Sequence, residues 1–134
     1  MSKPQLENSM PTQKDHVTIS MHFKVSADQA EAVEKGLAVH ADWMRQTHSI
    51  GSGKNVELVD YYVAKAEEYK NPANPDEGTT GNILFTLSET YPHPDQMNNH
   101  MTEAMSWNGM GNLMTLLQDY NATVVFGGQV IQSL

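Results

Sequence analysis

The stretch "HVTISMHFKVSADQ", residues 16–29, determines how the fold begins. Apolar and polar side chains alternate along its first part, which predicts a strand with one buried face. The apolar members are Val17, Ile19, Met21, Phe23 and Val25. Ser26 and Gln29 then match a capping box, in which each side chain bonds the other residue's backbone N–H. We therefore expect a helix to follow the strand at once and to run to about His48.

Two more strands are predicted in the middle of the chain. The segment "VELVDYYVAK" (56–65) is rich in β-branched and aromatic residues, as strands are. In "NILFTLSE" (82–89), Ile83, Phe85 and Leu87 fall on one face. The proline-rich segment between the two strands is predicted to be a connection.

The last third of the chain predicts a helix and a final strand. His93-Pro94-Asp95 suits the first turn of a helix, where proline is tolerated and an acidic side chain is favoured. The segment "WNGMGN" (107–112) is expected to interrupt this helix near Gly109, and the helix resumes to about Tyr120. "TVVFGGQVIQ" (123–132) predicts a strand with a bulge at its paired glycines.

The resulting order is β-α-β-β-α-β, which predicts an α+β protein of the ferredoxin-like class. In this class a four-stranded antiparallel sheet carries two helices on one face. Residues 1–15 have no hydrophobic period, so we predict a flexible N-terminal tail followed by one domain over residues 16–134.

Composition excludes several classes of function. Sixteen acidic and eight basic residues give a net charge of −8, and Arg45 is the only arginine. Nucleic acid and an anionic membrane surface are therefore not expected as partners. The chain has no cysteine, which excludes disulfides, zinc–thiolate sites and thiol catalysis. Since no signal peptide or long apolar run is present, we expect a cytoplasmic location.

The sheet face turned away from the helices is semi-polar. It would carry small hydroxyl and amide side chains, whereas a solvated sheet face carries more Lys and Glu. This composition predicts a homodimer formed through the sheet face. The residues concerned are Thr18, Ser20, His22, Asn82, Thr86, Ser88, Thr123, Val125 and Gln129.

The element order and the segment "ETYPHPDQMNNHMTEA" (89–104) together resemble the dimeric α/β-barrel superfamily. The resemblance is to its antibiotic-biosynthesis monooxygenase-like domains. In these a strand ends in an aromatic residue, and an acidic turn leads to a helix with a histidine about ten positions on. Tyr91, Asp95 and His100 match these places. The resemblance implies two sheets that form a barrel in a homodimer, and a ligand cleft between sheet and helices in each subunit.

The same superfamily includes cofactor-free oxygenases, haem-degrading enzymes, isomerases and members without known activity, so fold does not select a function. The haem-degrading members use an asparagine on the first strand and usually a tryptophan before the second helix. This chain has no asparagine in its first predicted strand and has Tyr91 at the second place.

The candidate catalytic residues are His100 and Tyr91. A histidine at the cleft suits a general base or an axial ligand, but His100 also falls at the edge of the predicted core stripe of its helix. Trp107, Met97 and Met101 are predicted either to line a pocket for an aromatic ligand or to pack in the core.

Further candidates come from the second strand and the first helix. Tyr61 or Tyr62 would orient a substrate, and Trp43 lies near His40 and His48 at the end of the first helix. No two-histidine-plus-carboxylate spacing is present, so no metal site is predicted.

Three functions follow in order of preference. The first is a cofactor-independent monooxygenase-like protein that acts on a small aromatic or polycyclic metabolite. The second is a non-catalytic small-molecule-binding or assembly protein of the same fold. The third is a haem-binding or haem-degrading protein. A cavity beside His100 would distinguish the first from a protein whose cleft is filled by its own side chains.

Overall fold

The computed structural model describes residues 11–51 and 53–134. Most of the predicted tail, residues 1–10, lies outside the described residues. Residues 11–15 contact the domain, because the Asp15 N–H donates to the carbonyl oxygen of Val130 at 3.1 Å. The Thr12 hydroxyl also lies 3.5 Å from a carboxylate oxygen of Asp60.

The described residues form six strands, three α-helices and one short 3₁₀ turn at Pro75–Glu77. The strands are β1 (Val17–Ser26), β2 (His48–Ile50), β3 (Val56–Leu58), β4 (Asp60–Tyr69), β5 (Thr79–Tyr91) and β6 (Thr123–Gln129). The helices are α1 (Ala30–Thr47), α2 (Pro94–Ser106) and α3 (Met110–Asp119).

The main sheet has the strand order β4-β5-β1-β6, and all of its pairings are antiparallel. This is the ferredoxin-like arrangement that the sequence predicts. The sheet of one chain is open and does not close into a barrel by itself. A barrel would need the sheet of a second copy, so the dimer stays a prediction.

The predicted second strand is wrong in one respect, because it consists of two strands. β3 pairs in parallel with β2, and only after Val59 does the chain join β5 as β4. The buried Val59 donates its N–H to the carbonyl oxygen of Thr90 at 2.7 Å. Residue type along a strand indicates extended backbone, but it does not show where the chain changes its pairing partner.

β4 and β5 extend further into the predicted connection than expected. β4 continues to Tyr69 and β5 begins at Thr79, although the end of β4 is rich in Ala, Lys and Glu. Ladder hydrogen bonds to the neighbouring strand support these residues despite their low strand propensity.

The interruption of the second helical region is confirmed. α2 ends at Ser106 and α3 begins at Met110. The capping contact is present too, since the Ser26 N–H donates to the side-chain oxygen of Gln29 at 3.2 Å. However, α1 begins only at Ala30, after a short turn.

The predicted bulge in β6 is confirmed and changes one assignment. The pairing register shifts between Thr18 and Ile19, and Gly127 adopts φ +68°. As a result Gln129 pairs with Val17, whose side chain faces the helices. Gln129 therefore lies on the helix-facing side of the sheet and not on the semi-polar face, where simple alternation along β6 would place it.

The core lies between one sheet face and the helices. It is built on the alternating residues of β1 and β5, together with Val33, Leu37 and Met44 of α1. Within the described ranges, no helix is long and apolar enough to cross a membrane.

Candidate functional site

A buried glutamate lies in the middle of the core-facing row of β5. Strict alternation continues from Phe85 and Leu87 to Glu89 and Tyr91, so Glu89 faces the helices although it is charged in water. Its exposed fraction is 0%. Sequence analysis missed this residue, but the signal was present, since the period of two that identifies the strand extends directly to it.

Three side chains surround the Glu89 carboxyl. The Tyr91 hydroxyl donates to Oε1 at 2.6 Å. His100 Nε2 lies 3.5 Å from the same oxygen, and His40 Nε2 lies 3.4 Å from Oε2. Oε2 has no hydrogen-bond partner. The carboxyl therefore has a histidine at each end, and either oxygen can hold its proton, since Oε1 accepts only the one hydrogen bond from Tyr91.

Two further residues extend this arrangement outward. His40 Nδ1 and the Tyr61 hydroxyl are 2.9 Å apart, and His48 Nε2 and His100 Nδ1 are also 2.9 Å apart. We call the six residues concerned the acid–base cluster. They are His40, His48, Tyr61, Glu89, Tyr91 and His100.

Burial favours the uncharged form of each member. It raises the pKa of the Glu89 carboxyl to about 8. It lowers the pKa of His48 to about 4, and burial with the nearby His48 lowers that of His40 to about 4 as well. Burial and the other two histidines lower the pKa of His100 to about 3. The cluster is therefore electrically neutral at pH 7, with one exchangeable proton on Glu89.

The hydrogen bonds determine which nitrogen of His100 is free. The Thr47 hydroxyl donates to the carbonyl oxygen of Trp43 at 2.9 Å, so it accepts the bond from His48 Nδ1 at 2.6 Å. Neutral His48 then has a bare Nε2, which accepts from the Nδ1–H of His100. His100 consequently directs an unprotonated Nε2 toward Glu89.

An apolar cavity of about 310 Å³ adjoins the cluster. It lies between the three helices and strands β1 and β6, and His40 and His100 form part of its wall. The indole rings of Trp43 and Trp107 also line it, stacked with centroids 4.7 Å apart and an interplanar angle of 13°. The cavity thus combines flat apolar walls with two imidazoles at one end.

The structure brings together most of the predicted site residues. His100, Trp43, Trp107 and Met101 line the cavity. Tyr91 and Tyr61 belong to the acid–base cluster, and Tyr61 is bonded to His40.

Two predicted ligand residues lie elsewhere. Tyr62 pairs with Ser88 on the opposite sheet face and is 51% exposed, because neighbouring residues of a strand point to opposite sides. Met97 packs against the core near Gly127 and is not among the cavity-lining residues. Met105, one turn after Met101 on α2, is exposed to solvent.

The geometry of the site can be compared with what a metal ion and a haem would each require. Among the residues that the structure describes, no three His, Asp or Glu side chains converge as a metal ion would require. The cavity of about 310 Å³ is smaller than a porphyrin, so a bound haem would extend beyond the cavity as it stands in this structure. The described lining residues also include no Lys or Arg that could pair with haem propionates.

Gly109, in the break between α2 and α3, allows the tryptophan pair to form. A Cβ atom at this position would overlap the Trp107 indole. We expect Gly109→Ala to displace the ring, disrupt its stacking on Trp43 and destabilise the protein by about 1–3 kcal/mol. Urea unfolding and near-ultraviolet circular dichroism measure the two effects.

The matched control for this substitution is Gly111→Ala. Gly111 lies in the first turn of α3, and an added Cβ there meets no atom within 4 Å. This variant should keep the tryptophan signal of the parent. Equal spectra and equal stability for the two variants would contradict the proposed role of Gly109.

The fold and the site define a ferredoxin-like α+β domain with a buried acid–base cluster at one end of an apolar cavity. No protein-family model and no curated protein matches the chain. Among solved structures, it is similar to a "putative antibiotic biosynthesis monooxygenase from Nitrosomonas europaea", with a TM-score of 0.48 and 12% identity over 92% of this chain and 100% of that chain.

A second similar structure is described as a "putative antibiotic biosynthesis monooxygenase from Deinococcus radiodurans". Its TM-score is 0.47 and its identity 20%, over 88% of this chain and 98% of that chain. Both descriptions name the group of proteins that the sequence resembles. The fold itself is assigned from the strand order and register described above.

Proposed function

We propose that the protein binds a small aromatic molecule with an acidic phenol or enol group and catalyses its cofactor-independent oxygenation. The observation that carries this proposal is the position of His100. Its imidazole forms part of the cavity wall and also lies 3.5 Å from the buried carboxyl of Glu89. A ligand in the cavity would thus contact an imidazole whose unprotonated Nε2 lies beside the Glu89 carboxyl.

The cavity favours a flat, uncharged ligand. Its volume of about 310 Å³ is at the lower end of the range for ligand pockets, which suits a molecule of one or two rings. Stacked indoles and methionine side chains bind aromatic surfaces well. The described lining has no Lys or Arg to pair with a carboxylate or phosphate.

Glu89 and His100 divide the work of proton removal. His100 alone is a weak base, because its surroundings disfavour an imidazolium. When Glu89 is ionised, however, a proton that reaches Nε2 of His100 is neutralised by the carboxylate beside it. The reactive state therefore has ionised Glu89, and His100 is the group that touches the ligand.

The reaction can be written without another redox partner. In the keto form of the ligand, the CH₂ group next to the carbonyl loses a proton and leaves an enolate. The electron pair on its α-carbon attacks O₂ and forms a C–O bond. The peroxide oxygen takes back the proton and gives a hydroperoxide. Loss of the second C–H proton with cleavage of the O–O bond then yields a ketone and water.

Substitution of His100 tests this assignment. We expect His100→Ala to reduce O₂ uptake with 2-tetralone, a two-ring ketone that enolises readily, by about 10²-fold or more. The measurement uses an oxygen electrode, and isothermal titration with 1-naphthol measures binding separately. His93→Ala is the matched control, since His93 is exposed at the start of α2, makes no cap hydrogen bond there and does not line the cavity. Parent-like turnover in His100→Ala would reject the role of His100.

A non-catalytic binding protein is the second candidate. The methionine side chains of the cavity, from Met101, Met110 and Met114, favour it because they adapt to many apolar shapes. In that case 1-naphthol would bind, but the α-deuterium of labelled 2-tetralone would exchange no faster with the parent protein than with His100→Ala.

We also propose that two copies of the chain pair through the open sheet face. Ser88 lies near its centre, on β5 between Ser20 and Tyr62, and Val125 is 42% exposed on the edge strand. We expect Ser88→Arg to give a monomer in sedimentation equilibrium, because a desolvated charge would lie between the sheets. Asn98→Arg on the exposed surface of α2 should leave the assembly unchanged. A monomeric parent protein would reject the pairing.

A further inference from the structure

A second groove lies on the outer side of the acid–base cluster and is connected to the cavity wall by hydrogen bonds, which the proposed reaction does not use. This outer groove, of about 260 Å³, lies beside the end of α1, and His48 and Tyr61 are among its lining residues. Each is hydrogen-bonded to a histidine of the cavity wall, His48 to His100 and Tyr61 to His40. The cluster therefore separates two spaces and contacts both.

We propose that His100 and His48 form a proton path between the buried carboxyl of Glu89 and the outer groove. This path would serve the site of the proposed function, since it sets how Glu89 gains and loses its proton. It can nevertheless be tested without any ligand.

The direction of the hydrogen bonds supports the path. Thr47 accepts from Nδ1 of His48, and Nε2 of His48 accepts from Nδ1 of His100, which leaves Nε2 of His100 free on the side of Glu89. A proton from Glu89 can bind this nitrogen while the Nδ1 proton of His100 moves to His48. His48, which lines the outer groove, then releases its own Nδ1 proton by way of the partly exposed Thr47 hydroxyl to solvent.

In this transfer each imidazole gains one proton and loses one. No bond other than N–H and O–H changes, and no electrons are exchanged. The two rings finish in the opposite tautomers, and a proton that travels inward restores them. The same chain of atoms therefore serves both directions.

Burial explains why Glu89 needs such a path. The carboxyl has an exposed fraction of 0%, and beyond its polar neighbours it is enclosed by apolar side chains. The groups that face it are His40 from α1, His100 from α2, Tyr61 from β4 and Tyr91 from its own strand. Among the described residues, the Tyr91 hydroxyl is bonded only to Glu89. The two histidines are each bonded to a residue of the outer groove, His40 to Tyr61 and His100 to His48.

The surroundings of His48 are compatible with a transient cation. Trp43 lies at 5.3 Å and Tyr91 at 6.4 Å between ring centroids, so aromatic faces and edges adjoin the imidazole. Thr47 is its hydrogen-bond partner on the outer side. Arg45, the one cation among the described residues of the outer groove, is paired with Asp42 at 2.7 Å, which reduces its repulsion.

The experiment is a rapid pH jump from about pH 7 to about pH 9, which crosses the titration of Glu89. Infrared difference spectroscopy follows the carboxylic-acid band of Glu89, and its absence in Glu89→Gln assigns the band. Fluorescence of Trp43 and Trp107, the only two tryptophans of the chain, provides a second signal.

We expect His48→Gln to slow the loss of the Glu89 proton by about tenfold or more, because glutamine can keep a hydrogen bond but does not exchange protons. In His48→Ala, added imidazole should restore the rate by entering the vacated space. Ile50→Val, which changes an exposed residue of the outer groove outside the acid–base cluster, should keep the parent rate.

Several outcomes would overturn the path. One is a parent-like rate in folded His48→Gln, and another is a slow rate in His48→Ala that imidazole leaves unchanged. If His48 variants do not fold, Thr47→Val tests the outer end of the same path, and a parent-like rate there would also reject it. These results are independent of turnover, so the path and the proposed oxygenation can fail separately.

Discussion

Glu89→Gln is expected to lower the rate of proton removal from a bound ligand by about 10²–10⁴-fold and to abolish its dependence on pH. The parent rate should rise with pH and level off above about 8, since the reactive state needs ionised Glu89 and burial raises the pKa of this carboxyl to about 8. Glutamine has a similar shape but accepts no proton. The measurement is deuterium loss from α-labelled 2-tetralone between about pH 6 and about pH 10.

Glu67→Gln is the control for this substitution. Glu67 lies on β4 in an exposed position, so the same Glu-to-Gln change there leaves the cluster intact. It should show the parent profile. A pH-dependent rise that persists in Glu89→Gln would show that another group supplies the base.

Glu89→Gln lowers the rate of proton removal, but it is expected to raise the stability of the folded protein in alkali. The folded pKa of Glu89 is raised, so its protonated form is favoured by folding, and this contribution is lost as pH rises from about 4.5 to about 8. Above that window the parent protein contains a buried carboxylate. We therefore expect Glu89→Gln to gain stability relative to the parent as pH rises from about 4.5 to about 8 and to gain no more above that, measured by urea unfolding.

The second large effect is loss of stability in acid. Burial lowers the pKa values of His40 and His48 to about 4 and that of His100 to about 3, from 6.5. Between these limits the unfolded chain binds three protons that the folded protein does not, and Glu89 offsets about one of them. Unfolding thus takes up about two protons, which corresponds to about 3 kcal/mol per pH unit.

Urea unfolding at several pH values between about 4.5 and about 6.5 measures this slope. His40→Gln should reduce it by about 1.4 kcal/mol per pH unit, because one of the three histidines no longer titrates. Thr115→Ala is the control, since it changes an exposed and non-titrating side chain of α3 and should leave the slope unchanged. Equal slopes in the two variants would show that the His40 imidazole is already protonated in the folded protein.

Local patterns predicted the elements that depend on short-range chemistry. The alternation in β1, the proline at the start of α2, the break around Gly109 and the bulge at Gly127 were all readable from neighbouring residues. They were readable because each depends on backbone preferences within a few positions. Where pairing partners matter, as in the parallel contact of β2 with β3, the sequence did not reveal the outcome.

The candidate site was predicted only in part. His100 and Tyr91 were identified through a resemblance, and they do lie together, 5.4 Å apart between ring centroids. Their common partner Glu89 was missed because its charge suggested solvent, although its place in the alternation pointed inward. The choice between Tyr61 and Tyr62 also needed the strand register, which places only Tyr61 beside His40.

By itself the sequence determined the ferredoxin-like order of strands and helices, since hydrophobic period and turn chemistry act over short stretches of chain. Only the tertiary structure decided that His40 and His100, from two helices, flank one glutamate beside an apolar cavity, and that His48 extends this cluster through His100. Removal of water from that arrangement shifts the pKa values, and burial depends on long-range packing that no local pattern specifies.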